Sequence, residues 1–203
     1  MNNKKTENYL DLKGDIIDAV EEMESDCYLL FLFDKNKTCF ESNGTYLKRK
    51  DSERIGNILR SFTETLLDKK IWLKVLSYDR TEKHRHAFIL AKTRPILNDG
   101  DDDVDPREFW GKKFNIPACC IKKYIEDKSD DSFNSAIRYF KQLRALKIDD
   151  KFGIQIQKGT GVFCGIGFIP CHPKCKEANM RLKTLRDNER ERIRLINKLK
   201  GGK

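Results

Sequence analysis

Apolar residues recur with two different periods along the first half of the chain, and these periods predict a small α+β layer. Apolar side chains at helical spacing predict two amphipathic helices, over residues 7–24 and between Asp51 and Asp68. Shorter apolar runs predict four strands, the first two joined as a hairpin, at residues 27–33, 38–41, 71–78 and 86–92. The order helix, strand, strand, helix, strand, strand is typical of an antiparallel sheet with helices on one face.

The second half of the chain has a mostly helical pattern. Helical spacing predicts a short helix at 107–113, a helix opened by Pro117, a helix capped near Ser132 and a final helix ending near Leu199. Glycines interrupt short apolar runs over 152–169, which predicts a hairpin or irregular strands there.

A dense acidic stretch separates the two halves and is the best candidate for a domain boundary. The chain is therefore expected to be an α+β protein in which a mostly helical, cysteine-bearing unit follows the N-terminal sheet. The predicted parts are an α+β unit at 1–97, an acidic linker at 98–106, a cysteine-bearing metal-site unit at 107–180 and a basic C-terminal helix at 181–203.

Two cysteine clusters, each associated with a proline, are the most specific chemical feature of the sequence. They are Pro117-Ala118-Cys119-Cys120 and, about fifty residues later, Pro170-Cys171-His172-Pro173-Lys174-Cys175. Proline is favoured at the first helical position, so Cys119 and Cys120 are expected at the third and fourth positions of one helix and Cys175 at the third of another. Free N–H groups and the helix dipole favour thiolates there, the form that binds metal or attacks electrophiles.

These two clusters together predict a shared metal site. Cys119, Cys120, Cys171 and Cys175 supply four thiolates, enough for tetrahedral zinc or a cubane iron–sulfur cluster, and His172 and Cys164 are reserve ligands. Two alternatives remain open, namely reactive or redox thiols and small buried side chains. Cys27 and Cys39, on predicted strands far from both clusters, are assigned to the core.

The cysteine count and the apolar runs bear on the compartment. Seven cysteines are an odd number, no apolar run follows the N-terminal residues, and the longest apolar run is too short to span a membrane. We therefore expect a cytoplasmic protein without disulfides and without a membrane contact. The oligomeric state cannot be predicted.

The excess of positive charge is concentrated at the C-terminus. The net charge is +9, and residues 176–203 carry 10 Lys and Arg against 4 Asp and Glu. A basic helix can lie along the phosphates of RNA or DNA, although it can also be a solvated helix or pack on a partner protein. The candidate nucleic-acid contacts are Arg181, Lys183, Arg186, Arg190, Arg194 and Lys198.

Some enzyme classes are not supported by the motifs. The zinc deaminases need the motifs H-x-E and P-C-x-x-C, and this sequence has neither. The glycine-rich stretch at 159–167 does not match a phosphate-binding loop. Two hypotheses remain: a metal-binding protein that contacts nucleic acid, and an enzyme in which an iron–sulfur cluster or a thiolate such as Cys120 performs redox or group-transfer chemistry.

The second half of the chain also resembles a known family. The features that carry the resemblance are Trp110-Gly111, the Cys-Cys pair at 119–120, the segment from Cys164 to Cys171 and the sequence Cys175-Lys176-Glu177-Ala178. They are similar to those of an uncharacterised, mainly archaeal family of small proteins with a Cys-Cys pair and a later Pro-Cys-x-x-x-Cys segment. The resemblance covers about residues 107–180 and implies that the four cysteines form the family signature. It implies no activity.

Overall fold

The computed structural model describes residues 14–42, 47–80, 83–94, 105–128, 132–157 and 161–201, without the side chains of 77–80 and 83–85. The first described helix, α1, covers residues 14–23. The other elements in the first half are α2 (Asp26–Phe33), β1 (Cys39–Glu41), α3 (Arg49–Leu67), β2 (Trp72–Arg80) and β3 (Lys83–Ala91). The second half contains α4 (Pro106–Lys113), α5 (Ala118–Glu126), α6 (Phe133–Leu146), β4 (Gln155–Gln157), β5 (Gly161–Phe163), α7 (Lys176–Asp187) and α8 (Glu189–Leu199).

The N-terminal sheet is antiparallel, with the strand order β1-β3-β2. Because side chains alternate across a strand, the sheet has two apolar faces. Phe40, Phe88 and Leu90 face the core formed with α2 and α3, while Cys39 and Ile89 face Trp110 of α4. The α+β class predicted from the sequence is confirmed.

The apolar run at 27–33 forms helix α2, so the predicted strand and its hairpin with 38–41 are wrong. The hydroxyl of Ser25 caps α2 by accepting a hydrogen bond from the backbone N–H of Tyr28, at 3.2 Å. Tyr28 and Phe31 pack into the N-terminal core, whereas Leu30 packs into the core of the second half. A helix between two cores is apolar on every side, and its sequence therefore lacks the helical period.

The second half has its own core, built around α6. Tyr139 and Ala136 are fully buried there against Phe152, Ile166 and Ala178. The glycine-punctuated segment contains the short antiparallel hairpin of β4 and β5, as the sequence predicted. Helices α4 and α5 pack together at Gly111, where an added Cβ would lie 2.8 Å from Cγ1 of Ile121.

The predicted helix starts are shifted in the structure. Pro117 is the N-cap of α5, so Cys119 and Cys120 occupy the second and third helical positions. Cys175 is itself the N-cap of α7, and Pro173 lies in the turn before it. The predicted final helix is two helices, which meet at Asn188, the C-cap of α7 and the N-cap of α8.

The two C-terminal helices also contact the N-terminal half. Helix α7 packs against α2, Leu195 of α8 is buried in the N-terminal core, and Arg192 pairs with Asp26 at 3.1 Å. Most of the predicted acidic linker, residues 98–104, lies outside the described residues, and the proposed domain boundaries remain predictions. In the described part of the chain, every helix is too short or too polar to cross a membrane.

Candidate metal centre

Four cysteines from two distant segments meet at one point, as the sequence predicted. Cys119 and Cys120 come from the first turn of α5, Cys171 from the turn that precedes α7, and Cys175 from the N-cap of α7. Their Sγ atoms all lie within 4.8 Å of one another. We call this group the four-cysteine centre, and its arrangement could hold a metal ion.

Three of the sulfurs form a nearly equilateral triangle. The Sγ atoms of Cys119 and Cys120 are 3.8 Å apart, those of Cys120 and Cys175 are 3.8 Å apart, and those of Cys119 and Cys175 are 3.9 Å apart. The backbone N–H of Cys171 donates a hydrogen bond to the sulfur of Cys120, at 3.4 Å. This donor holds the fourth cysteine against the other three.

The centre lies at the protein surface with its thiols unequally covered. Cys120 and Cys175 are buried, Cys171 is half-buried and Cys119 is exposed. Burial raises the pKa of the Cys120 thiol well above its ordinary value and raises that of Cys171 to about 11. Burial also opposes ionisation of Cys175, but hydrogen bonds from the Ala178 N–H and the neighbouring thiols bring its pKa below the ordinary value.

The surroundings of Cys175 favour its thiolate form. Cys175 ionises most readily because it is the N-cap of α7, where the free N–H groups of the first helical turn stabilise negative charge. Deprotonation of the neighbouring buried thiols needs a compensating positive charge, which a metal ion supplies.

An arginine on α6 holds the turn that contains Pro170 and Cys171, which we call the cysteine turn. The guanidinium of Arg138 donates to the carbonyl oxygens of Cys171, at 2.6 Å, and Pro170, at 3.2 Å. Its Nε also lies 2.8 Å from Asp127, the C-cap of α5, and both side chains are largely buried. Arg138 thus ties the end of α5 to the second cysteine cluster. Sequence reasoning missed this residue because no motif marks one polar position of an amphipathic helix.

The two reserve ligands lie outside the group of four sulfurs. Nδ1 of His172 accepts a hydrogen bond from the backbone N–H of Lys174, at 3.1 Å, and so orders the turn between the two ligands. Cys164 packs in the core of the second half, where burial raises the pKa of its thiol to about 12. Neither side chain belongs to the metal-competent cluster of the described residues.

The two remaining cysteines pack in the interior, as predicted. Cys39 is fully buried on β1 and donates to the carbonyl of Lys113, at 2.9 Å. Cys27 packs against the N-terminal core but is on helix α2 instead of a strand. Its sulfur lies 3.0 Å from the position of a Cβ built on Gly167, so this glycine allows the close contact.

Among the six candidate nucleic-acid contacts, Arg181 differs from the other five. Its side chain is only 7% exposed and lies 3.6 Å from Asp34, so it is not part of an exposed basic surface. Lys183, Arg186, Arg190, Arg194 and Lys198 are all exposed, and we call these five residues the basic row.

Comparison with known proteins gives a family but no activity. No curated protein and no solved structure shows significant similarity to this sequence. A family model described as "Protein of unknown function (DUF483)" matches residues 85–201, a range that contains all four cysteines of the centre. Because this match covers more than half of the chain, the protein belongs to that uncharacterised family.

Proposed function

We propose that the four-cysteine centre binds one tetrahedral zinc ion, and that this ion fastens the start of α5 to the start of α7. The spacing of the sulfurs is the observation that supports the proposal. A zinc–sulfur bond of about 2.3 Å places four tetrahedral ligands about 3.8 Å apart. The sulfur distances among Cys119, Cys120 and Cys175, which are 3.8, 3.8 and 3.9 Å, match that value.

The same spacing argues against a cubane iron–sulfur cluster. Each cysteine of a cubane binds a different iron, so the sulfurs are separated by the whole cluster and lie farther apart than the ligands of a single ion. In this protein, all four sulfurs lie within 4.8 Å of one another. Four thiolate ligands to one ion are typical of a structural zinc site, which has no open position for substrate.

The location also favours a structural ion. The start of α5 lacks a side-chain cap, because its N-cap is Pro117, and an ion at the cysteines would hold this end of the helix. The ion links residues more than fifty positions apart, and metal binding at such a site is coupled to folding.

Metal analysis of the full chain purified without oxygen tests the proposal. We expect one zinc per chain and a colourless protein, since zinc has a filled d shell. Separate Cys→Ser changes at 119, 120, 171 and 175 should each weaken zinc binding at least tenfold in competition with a chelator. The matched control Cys164→Ser should bind zinc as the parent does. A brown protein with iron and sulfide, or full zinc affinity in all four variants, would disprove the proposal.

We propose, as a second function, that the basic row contacts the phosphates of RNA or DNA. Lys183 and Arg186 are three positions apart on α7, and Arg190, Arg194 and Lys198 are four positions apart on α8, so each set lies along one side of its own helix. Arg194 pairs with Glu191, but the other four cations have no ion-pair partner within the described residues. Unpaired exposed cations in a row are available for phosphates, and each contact gains free energy from counterion release.

Binding of a labelled single-stranded RNA and a DNA duplex at several salt concentrations tests this second proposal. Replacing Lys183, Arg186, Arg190 and Lys198 by Gln should weaken binding and reduce the slope of log K against log salt by about three. The control replaces four exposed lysines elsewhere, Lys50, Lys69, Lys122 and Lys141, and has the same net charge. Equal losses in both variants, or no binding to either nucleic acid, would contradict a specific role of the basic row.

A further inference from the structure

A groove of about 690 Å³ lies beside the metal centre, between α7, the start of α5 and the loop after α2. We call it the α5–α7 groove. The residues that matter for its chemistry are Asn36, Asn115, Ala118, Cys119, Glu177 and Arg181. Its volume is in the range of small-molecule sites, and most of its wall can form hydrogen bonds.

One part of the groove carries positive charge. Arg181 has a side chain that is 93% buried, with Nε near Asp34 and Nη2 donating to the carbonyl of Asn115. Its Nη1 has no hydrogen-bond partner in the described part of the chain. Arg181 also lines the groove, so its positive charge favours a negative group there.

The start of α5 adds to this positive part of the groove. Helix α5 has nine residues and an N-cap, Pro117, without a side-chain hydrogen bond. The hydrogen bonds among the described residues include none from the N–H of Ala118 or Cys119. Free N–H groups at the positive end of a helix are a favourable site for an anion.

Another part of the groove is negative. Glu177 is exposed on the first turn of α7 and has no ion-pair partner within the ranges that the structure describes. Asp34 is already engaged by Arg181, and a metal-bound four-thiolate centre adds further negative charge. A purely anionic ligand is therefore opposed, whereas a ligand that also carries an ammonium group meets Glu177 favourably.

We propose that the α5–α7 groove binds a small zwitterion of the α-amino acid class. The carboxylate of the ligand accepts hydrogen bonds from the start of α5, where the positive charge of Arg181 also favours it, and its ammonium group lies at Glu177. This site goes beyond the metal centre and does not depend on the identity of the metal.

To test the proposal, the full chain is titrated with each of the twenty common amino acids. The protein is used as purified, after its metal content has been measured. Inorganic phosphate, acetate and methylamine are titrated as single-charge probes, and binding is followed by calorimetry and by NMR shifts. Glu177→Gln removes the ammonium contact. Ala118→Pro removes one N–H without disturbing the helix, since proline suits the first helical position and Pro117 has the extended ψ of 135° that must precede it.

Two controls introduce the same new residues, glutamine and proline, at comparable positions away from the groove. Glu189→Gln removes an exposed carboxylate on α8, and Arg49→Pro introduces proline at the first position of α3, after a residue with ψ of 148°. We expect at least one amino acid to bind to the parent protein. Its affinity should be at least fivefold lower for the E177Q and A118P variants and unchanged for both controls. The proposal would be overturned if no amino acid bound, or if the controls lost as much affinity as the variants. It would also be overturned if only phosphate or acetate bound and E177Q left that binding unchanged.

Discussion

At the residue scale, Arg138 supports the part of the four-cysteine centre that carries Cys171. Its planar guanidinium donates to four acceptors, which are the Asp127 carboxylate at the end of α5, the carbonyls of Pro170 and Cys171, and the side-chain oxygen of Gln142. Lysine has a single ammonium group and cannot reproduce this fork. The pair with Asp127 is largely buried, so removing the arginine leaves a carboxylate without its charge partner.

We predict that Arg138→Met lowers the free energy of unfolding by about 3 kcal/mol, the usual cost of breaking one side of a buried ion pair. Zinc affinity should fall about tenfold or more, because the cysteine turn is no longer held in place. Urea denaturation and chelator competition measure the two effects. Arg144→Met, an exposed change on the same helix, serves as the control and should alter neither value appreciably. A variant R138K with parental zinc affinity would show that charge alone is sufficient.

At the element scale, α2 is the helix that connects the two cores. It has only eight residues, too few for a helix that is stable by itself, so its ends and its packing decide whether it forms. Ser25 provides the start by capping the N–H of Tyr28. In contrast, the longer α3 begins at Lys48, which makes no capping hydrogen bond and places a positive charge at the positive end of the dipole.

Opposite changes in stability are therefore predicted at the two caps. Ser25→Ala should destabilise the protein by about 1 kcal/mol, and Lys48→Asp should stabilise it by about 0.5 to 1 kcal/mol. Urea denaturation of each variant provides the measurement. Lys69→Asp makes the same change of charge just beyond the C-terminal end of the same helix, where negative charge is unfavourable, and should not stabilise the protein. Equal stabilisation by K48D and K69D would attribute the gain to net charge and contradict the capping explanation.

At the scale of the whole molecule, the four-cysteine centre connects only one pair of helices. It joins α5 to the start of α7, while the sheet and α3 form a separate apolar core on the other side of α2. Loss of the metal is therefore expected to loosen one part of the molecule before the rest. Proteins open in cooperative units of this kind when one contact region is weakened.

Hydrogen exchange with and without a chelator tests this expectation. Amides of 118–126 and 170–187 should exchange faster after metal removal, whereas those of 72–76 and 86–91 should keep their protection. A variant with Cys119 and Cys175 both changed to Ser should already show the fast pattern and should not respond to the chelator. Uniform loss of protection across the sheet would contradict a local role of the metal.

The sequence by itself determined which four cysteines come together and most of the elements around them. Cysteines next to prolines at two helix starts are a local pattern, the helical period of α3 is strong because this helix has one buried face, and the continuous apolar run of β3 marks a strand buried on both faces. The α+β class followed from those periods. The pattern could not identify α2, because a helix apolar on every side looks like a buried strand when only periodicity is considered.

Only the tertiary structure decided which polar residues serve the interior and which face solvent. Arg181 and Arg186 are both basic residues of the same helix, yet the first is buried against Asp34 and the second is exposed. Arg138 likewise has no local signal for its role at the cysteines, since Asp127 and Cys171 lie 11 and 33 positions away. Cys171 and Cys120 meet for the same reason. Such contacts depend on how elements pack, and the free energy of packing comes from neighbours that are distant along the chain.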